Sequence, residues 1–234
     1  MLRTVIVTGS TSGLGKATAL RLLAAGYRVI GIDVKPPPID CLEHEFFLAV
    51  TADLGSDDFE AMIVPLINRH GYYGLVYCAG ISHGGRLDSV TDEEWSRSID
   101  VNLTPAFKLC RMADSHMVDG GRIVLVSSPV GLLGANKPSY ASSKAGLHGL
   151  MMSVSRHLGK RQIQANIILP GPMITGMTED WSEERRSSIA ASTHFGRLCL
   201  PEEVANMIQF MLGPSCTFLG ASVIDMTSGS MYGH

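Results

Sequence analysis

No apolar run in the chain approaches the roughly eighteen residues that a membrane-spanning helix requires, so the sequence offers no membrane segment. Cysteine is scarce and unpaired. Cys41, Cys78, Cys110, Cys199 and Cys216 are widely spaced, odd in number and without a Cys-x-x-Cys pair, as expected of reduced thiols in a cytoplasmic protein rather than a disulfide framework. The eight histidines include no His-Glu-x-x-His arrangement, which leaves a catalytic zinc without support, and no metal site is expected. Neither sign of charge dominates: 19 basic residues face 22 acidic ones, the formal net charge is -3, and no run of like charge forms a tail. Nucleic acid and anionic membranes are therefore not expected partners. The first residues already belong to the turn motif described next, which leaves no room for a signal peptide.

What is present fits one domain over residues 1–234, with 45% hydrophobic residues and a single large core. Thr4, Val5, Ile6 and Val7 form a β-branched run that reads as a buried strand. It enters Thr8-Gly9-Ser10-Thr11-Ser12-Gly13-Leu14-Gly15, after which Leu14, Ala17, Thr18, Leu22 and Ala25 recur at helical spacing. A glycine turn between strand and helix lets the backbone approach a pyrophosphate, and the helix start offers free amides and a positive dipole end. The spacing Gly-x-x-x-Gly-x-Gly departs from the commoner Gly-x-Gly-x-x-Gly, and Gly15-Lys16-Ala17 lacks the Ser or Thr of a Walker A loop. A second strand over 28–33 ends in Asp33, eighteen residues past Gly15. A carboxylate there accepts the hydrogen bonds of an adenosine ribose and repels a 2'-phosphate, so NAD is expected over NADP.

Residues 35–45 read as a surface connection in which Pro36, Pro37 and Pro38 exclude a regular helix. A third strand over 46–50 leads to Asp53-Leu54 and to a helix over 56–68 capped by Ser56. The fourth strand, 74–78, ends in Ala79-Gly80, small residues where backbone passes close to a ligand, with His83 just beyond as a candidate lining of a substrate cleft. A helix starting at Thr91 is interrupted by Asn102 and continues over 103–117; an amide embedded between Val101 and Leu103 needs partners if buried. A fifth strand over 122–126 delivers Ser127-Ser128, a helix spans 139–158, and a sixth strand over 163–169 ends in Pro170-Gly171-Pro172. Residues 175–195, polar and carrying Trp181, read as a lid, before a helix from Pro201 and a last strand over 221–226. Strands alternating with helices imply an α/β fold: a Rossmann-type doubly wound parallel sheet of about seven strands with helices on both faces.

The chemistry is expected at Ser139-Tyr140-Ala141-Ser142-Ser143-Lys144. On a helix the four-residue spacing places Tyr140 and Lys144 one turn apart on one face. A phenol with an ordinary pKa of about 10 is a poor acid or base at neutral pH; a fixed cation beside it favours phenolate and makes it usable for proton exchange with an alcohol oxygen.

In the order and placement of these motifs the chain resembles the short-chain dehydrogenase/reductase family, over nearly its whole length. Gly9, Thr11, Ser12, Gly13, Leu14 and Gly15 look like its cofactor loop, Asp53-Leu54 like its adenine-contacting pair, and Cys78-Ala79-Gly80 like its Asn-Ala-Gly. The segment from Pro170 and Gly171 through Met173 to Thr175 resembles the one that holds the nicotinamide carboxamide. Asn102, Ser128, Tyr140 and Lys144 match the catalytic tetrad. The resemblance implies an NAD-dependent oxidoreductase that moves hydride between the cofactor and a secondary alcohol or ketone, and a homotetramer or homodimer built on helices 103–117 and 139–158. It also implies that Ser128 binds the substrate oxygen, Tyr140 exchanges its proton, Lys144 lowers the tyrosine pKa and holds the nicotinamide ribose, and Asn102 anchors a relay water. A non-catalytic NAD-binding sensor or scaffold is the alternative, and the intact tetrad speaks against it; an extended sugar-nucleotide epimerase would need more chain after Pro201. Two departures stand out. Cys78 replaces asparagine, where a local packing change with retained binding is expected, and Ser128 lies twelve residues before Tyr140, one fewer than usual. Gly131 and Gly134 follow Ser128 in the family's pattern, so Ser128 is expected at the substrate and Ser127 turned toward the protein.

Overall fold

A computed structural model of the chain describes residues 2–56, 58–176 and 178–231. Seven parallel strands form one sheet in the order β3-β2-β1-β4-β5-β6-β7: β1 Thr4–Thr8, β2 Arg28–Asp33, β3 Phe47–Thr51, β4 Tyr72–Tyr77, β5 Met117–Val126, β6 Gln164–Pro170 and β7 Val223–Met226. Side chains alternate across each strand, so each face builds its own core. Ile6, Ile30, Leu75, Ile123 and Ile167 point to one face, against α3 Phe59–His70, α5 Thr104–His116 and α7 Pro138–Leu158. Val5, Val7, Val29, Val76 and Val124 point to the other, against α1 Gly13–Ala24 and α9 Pro201–Leu212.

The chain lays β1, β2 and β3 outward in one direction and then returns to place β4 on the other side of β1. Ligands bind in the crevice at such a reversal, outside the carboxyl ends of the strands. Here that point is fixed by Thr8, whose buried hydroxyl accepts from the amides of Cys78 (3.1 Å) and Ala79 (3.0 Å) just past β4. The brace couples the first strand's end to the fourth through one side chain.

Several elements depart from the sequence reading, each for a local reason. The prolines end at a single helical turn, α2 Ile39–Leu42, which buries Cys41 completely and pairs Asp40 with Lys16 at 2.8 Å. Proline fixes φ at values compatible with a helix start, so it excluded helix only over its own length. Ser56 does not cap α3: its hydroxyl donates to the Asp53 carbonyl at 2.7 Å, and the helix begins at Phe59. Strand β5 starts at Met117, which pairs with Tyr72 ahead of an irregularity between Tyr72 and Gly74. By contrast, α4 Asp92–Asn102 opens with a reciprocal capping box between Thr91 and Glu94 and stops at Asn102, and a single turn, α6 Val130–Leu133, follows β5.

Candidate active site

The glycine turn comes first in the chain and is the most tightly constrained part of the site. Gly9 adopts φ 68°, and a Cβ there would press on the Ala79 backbone at 3.1 Å. At Gly15 a Cβ would collide with the Gly9 carbonyl, so the α1 start and the β1 end touch through bare backbone. Across the turn, a Cβ at Gly13 would meet Thr175 at 3.1 Å, which places the segment after β6 directly over the loop. Thr175 is held there by Thr178: its amide donates to Thr178 Oγ1 at 2.9 Å, and that hydroxyl donates to the Met173 carbonyl at 2.6 Å.

The side chains around this cradle fit a dinucleotide. Ser10 Oγ and Thr11 Oγ1 are buried without a hydrogen-bond partner, a costly condition that a phosphate relieves. Ser12 precedes α1 without capping it, and Leu14 is buried beneath the turn. Asp33 ends β2, where its carboxylate accepts from the amides of Thr11 (3.1 Å) and Lys35 (3.0 Å), one on each oxygen. Each oxygen keeps lone-pair capacity for a hydroxyl. Asp53 sits beyond β3, accepting from the Gly55 amide at 2.8 Å and pairing with Arg97 at 3.1 Å; these bonds hold its carboxyl below the usual range. Leu54 is buried in the core. Cys78 is fixed through its amide, and burial pushes its thiol up to about 12, so it stays a neutral packing group under the cofactor cleft. Past β6, Pro170 closes the strand, and a Cβ at Gly171 would strike the Met226 carbonyl at 2.9 Å, which brings the ends of β6 and β7 together.

At the other side of the cleft, the Ser128 side chain lies close enough to Tyr140 to favour its phenolate. Burial raises the Tyr140 pKa, and the neighbouring Ser128 hydroxyl opposes it in part. Lys144 is almost fully buried; its Nζ donates to the Val126 carbonyl at 2.9 Å and lies 5.9 Å from the centre of the Tyr140 ring. Removal from water lowers the lysine to about 8. The expected depression of the tyrosine by the lysine is therefore not the leading influence here. A lysine that loses its proton near 8 is neutral before a phenol above 10 ionises, so its help is confined to the pH range in which it stays charged.

Asn102 is completely buried, and all of its partners are present. Nδ2 donates to the Ile81 carbonyl and to Ser143 Oγ, both at 2.9 Å, and Oδ1 accepts from the Ile81 amide at 2.7 Å. Both Nδ2 hydrogens are spent, so a water held at Asn102 has only Oδ1 or the main chain to use. What the amide does here is pin the loop after β4 to helix α7. Gly80 passes between the two: a Cβ there would lie 3.2 Å from Lys144 Nζ and 3.3 Å from Asn102 Oδ1. His83, by contrast, exposes its side chain, and its carbonyl accepts from Ser139 Oγ at 3.0 Å.

Ser127 and Ser128 face different ways. Ser127 is buried, donating to the Lys144 carbonyl at 3.0 Å and lying 3.1 Å from His148 Nε2. Its single hydrogen goes to the carbonyl, so His148 must donate through Nε2. Burial lowers the His148 pKa, which keeps the ring neutral. Strand register sets this facing, because Ser127 still bonds the ladder through its amide to the Ile168 carbonyl at 3.0 Å. Ser128→Ala is expected to lose most turnover and Ser127→Ala to lose less than about tenfold, since only the former removes a hydroxyl from the cleft. Steady-state kinetics of both variants on one substrate checks this, and the reverse ranking contradicts it. The signal for His148, which the sequence reading did not pick out, was its position four residues after Lys144, one turn on along the same face of α7.

The family model for short chain dehydrogenases matches residues 3–186. The 3-oxoacyl-acyl-carrier-protein reductase FabG of Thermotoga maritima is 32% identical over 96% of each chain. The (2S)-((R)-hydroxy(phenyl)methyl)succinyl-CoA dehydrogenase subunit BbsD of Thauera aromatica is 30% identical over 97% of this chain and 96% of its own. Among solved structures, 4-hydroxyisoleucine dehydrogenase complexed with NADH superposes with a TM-score of 0.91 at 24% identity, over 99% of this chain and 100% of that one. This chain belongs to the short-chain dehydrogenase/reductase family. It is an oxidoreductase of that family and takes a nicotinamide cofactor. No helix among the described residues is long and apolar enough to cross a membrane.

Proposed function

We propose that the protein transfers hydride between NAD and a secondary alcohol or its ketone, with Ser128, Tyr140, Lys144 and Asn102 as the working residues. The observation that supports this most directly is a buried Lys144 ammonium held 5.9 Å from the centre of the Tyr140 ring, together with a glycine cradle whose Ser10 and Thr11 hydroxyls are buried and unpartnered. When bound, the nicotinamide supplies or accepts the hydride. The chain's own residues do the remainder. Ser128 donates to the ketone oxygen and orients it, and Tyr140, whose pKa the Ser128 side chain lowers, gives its phenolic proton to the same oxygen as charge develops there. Lys144 keeps a positive charge beneath the tyrosine, and its bond to the Val126 carbonyl fixes the charge in place. Asn102 holds Ile81 so that Gly80 stays in contact with Lys144. Residues 175–195 would act as the lid. Their α8 Glu183–Ala191 carries its own cap at Ser182, and the far end is tied to the turn after β7 by the His194 amide donating to the Ser228 carbonyl at 2.8 Å.

Preference for NAD rests on Asp33. A carboxylate about 4 Å from a 2'-phosphate is repelled by roughly 1–4 kcal/mol, depending on solvent access. NAD is expected to bind at least about tenfold more tightly than NADP, and Asp33→Ala to narrow that gap. Calorimetric titration with both cofactors decides it; equal affinities for the unaltered protein would remove the argument.

The names of the two relatives place their substrates among acyl thioesters that carry a ketone or hydroxyl group. A panel of ketones, oxo acids and 3-oxoacyl thioesters with reduced cofactor is therefore the test of the reaction. Consumption of the cofactor that depends on one of these compounds is the expected result, and cofactor binding without turnover of any of them would favour a sensor.

A further inference from the structure

One cation beside the cleft has no assigned work. Lys137 is exposed and directly precedes α7, and its Nζ donates to the Ser82 carbonyl at 3.0 Å. Among the described residues it forms no ion pair. An ammonium carries three hydrogens, so two remain for another acceptor. The acid on the neighbouring helix is committed elsewhere: Glu94 accepts from the amides of Gly85 (3.3 Å) and Thr91 (3.1 Å) and interacts electrostatically with His83.

The place of this ammonium is well defined. The loop after β4 runs alongside the first turns of α7 and is bonded to that region at successive residues. Gly80 lies against Lys144 Nζ, Ile81 is clamped by Asn102, Ser82 receives Lys137, and His83 receives Ser139. Tyr140 lies between the two lysines in the sequence, three residues after Lys137 and four before Lys144. Gly80 and Ser82 are two residues apart, at most about 7 Å. Lys144 and Lys137 thus meet residues two apart on one loop beyond β4, which sets both ammonium groups at the same end of the sheet as Tyr140.

We propose that Lys137 is a specificity-determining residue whose ammonium receives a carboxylate carried by the substrate one to three carbons from the carbinol carbon, so that the enzyme acts on short hydroxy acids and oxo acids. This rests on the reaction proposed above. In the reducing direction hydride goes to the ketone carbon, the proton comes from Tyr140, and the carboxylate leaves unchanged. Neutral hydrogen bonds from Asn102 and Ser139 already hold the loop, so a clamp at Ser82 does not itself call for a charge, whereas a carboxylate does.

The test compares 2-oxobutanoate, 3-oxobutanoate and 4-oxopentanoate with their methyl esters, using reduced cofactor and the unaltered protein, Lys137→Gln and Lys137→Arg. At least one acid is expected to exceed its ester by about tenfold or more in kcat/KM. In Lys137→Gln that ratio should collapse toward one through a raised KM for the acid, and Lys137→Arg should restore much of it. A purely structural clamp would lower acid and ester alike and leave the ratio unmoved, which overturns the proposal, as does an unaltered protein that prefers the esters. Calorimetric titration of the same acids into protein saturated with oxidised cofactor, where no reduction takes place, separates the two layers. Binding that is lost in Lys137→Gln, without turnover, keeps the carboxylate site and removes the reaction. Absence of binding together with absence of turnover overturns both.

Discussion

Tyr140→Phe is expected to lower kcat by about 10² to 10⁴ while leaving cofactor affinity within a few-fold of the unaltered protein. The substitution removes one oxygen and keeps the ring, so packing against Lys144, 5.9 Å from the ring centre, is preserved. Ser128 is only half-buried and open to water, so the cost to stability should stay within about 1 kcal/mol. What disappears is the phenol beside Ser128, and with it the proton that the substrate oxygen needs. The cradle at Gly9, Gly13 and Gly15 lies across the cleft and is untouched. Initial rates on any identified substrate, paired with a cofactor titration, read the two effects separately. Turnover that survives in the phenylalanine variant would mean that the proton travels by another route.

Lys144→Met should separate catalysis from stability in opposite directions. The lysine is buried, and its pKa falls from 10.5 to about 8 because the ammonium has left water. At 1.36 kcal/mol per pH unit, that drop corresponds to a cost on the order of 3 kcal/mol at pH 7, borne by the folded state. The sign follows from proton counts. Below about 8 both folded and unfolded chains hold the proton and the cost is fully present. Between about 8 and 10.5 the unfolded chain holds a proton that the folded chain has released, so this residue makes stability rise with pH across that window. Methionine removes the buried charge but leaves the Val126 carbonyl without its donor, a loss of about 1–3 kcal/mol. The net expectation at pH 7 is a gain on the order of 1 kcal/mol, or roughly 2–4 °C in Tm, together with a fall of about 10² or more in turnover. For the unaltered enzyme, reduction should decline as pH passes about 8, as the charge beneath Tyr140 is lost. Thermal melts and rate profiles across pH check both statements, and a variant that melts lower at pH 7 would show that the bond to Val126 outweighs the buried charge.

Parts of this site could be read from the sequence because single residue types carry them. Only glycine fits where Gly15 meets the Gly9 carbonyl, and a tyrosine and a lysine four apart on a helix must share a face. Asn102 announced itself as a polar break between two apolar neighbours, and α4 does end there. The remainder depends on contacts between segments distant in the chain. Arg97 reaches Asp53 across 44 residues, Lys137 reaches Ser82 across 55, and Ser127 meets His148 across 21, and no local periodicity encodes such meetings. The pKa order of Tyr140 and Lys144 was hidden for a related reason. Spacing places the two groups together, but burial, which comes from the whole fold, decides which of them keeps its proton. Helix starts were harder still: Ser56 looked like a cap, yet the Asp53 carbonyl offered its hydroxyl a nearer acceptor.

The most direct test of the account is isotope transfer. Reduced NAD carrying deuterium at the transferring position of the nicotinamide is incubated with a ketone or oxo acid that the enzyme consumes, and the alcohol product is analysed by mass spectrometry. Hydride transfer within this site predicts one deuterium on the carbinol carbon and none from the cofactor elsewhere, with the signal falling in Tyr140→Phe in proportion to turnover. An alcohol that forms without cofactor deuterium, or with hydrogen drawn from solvent at that carbon, would contradict it.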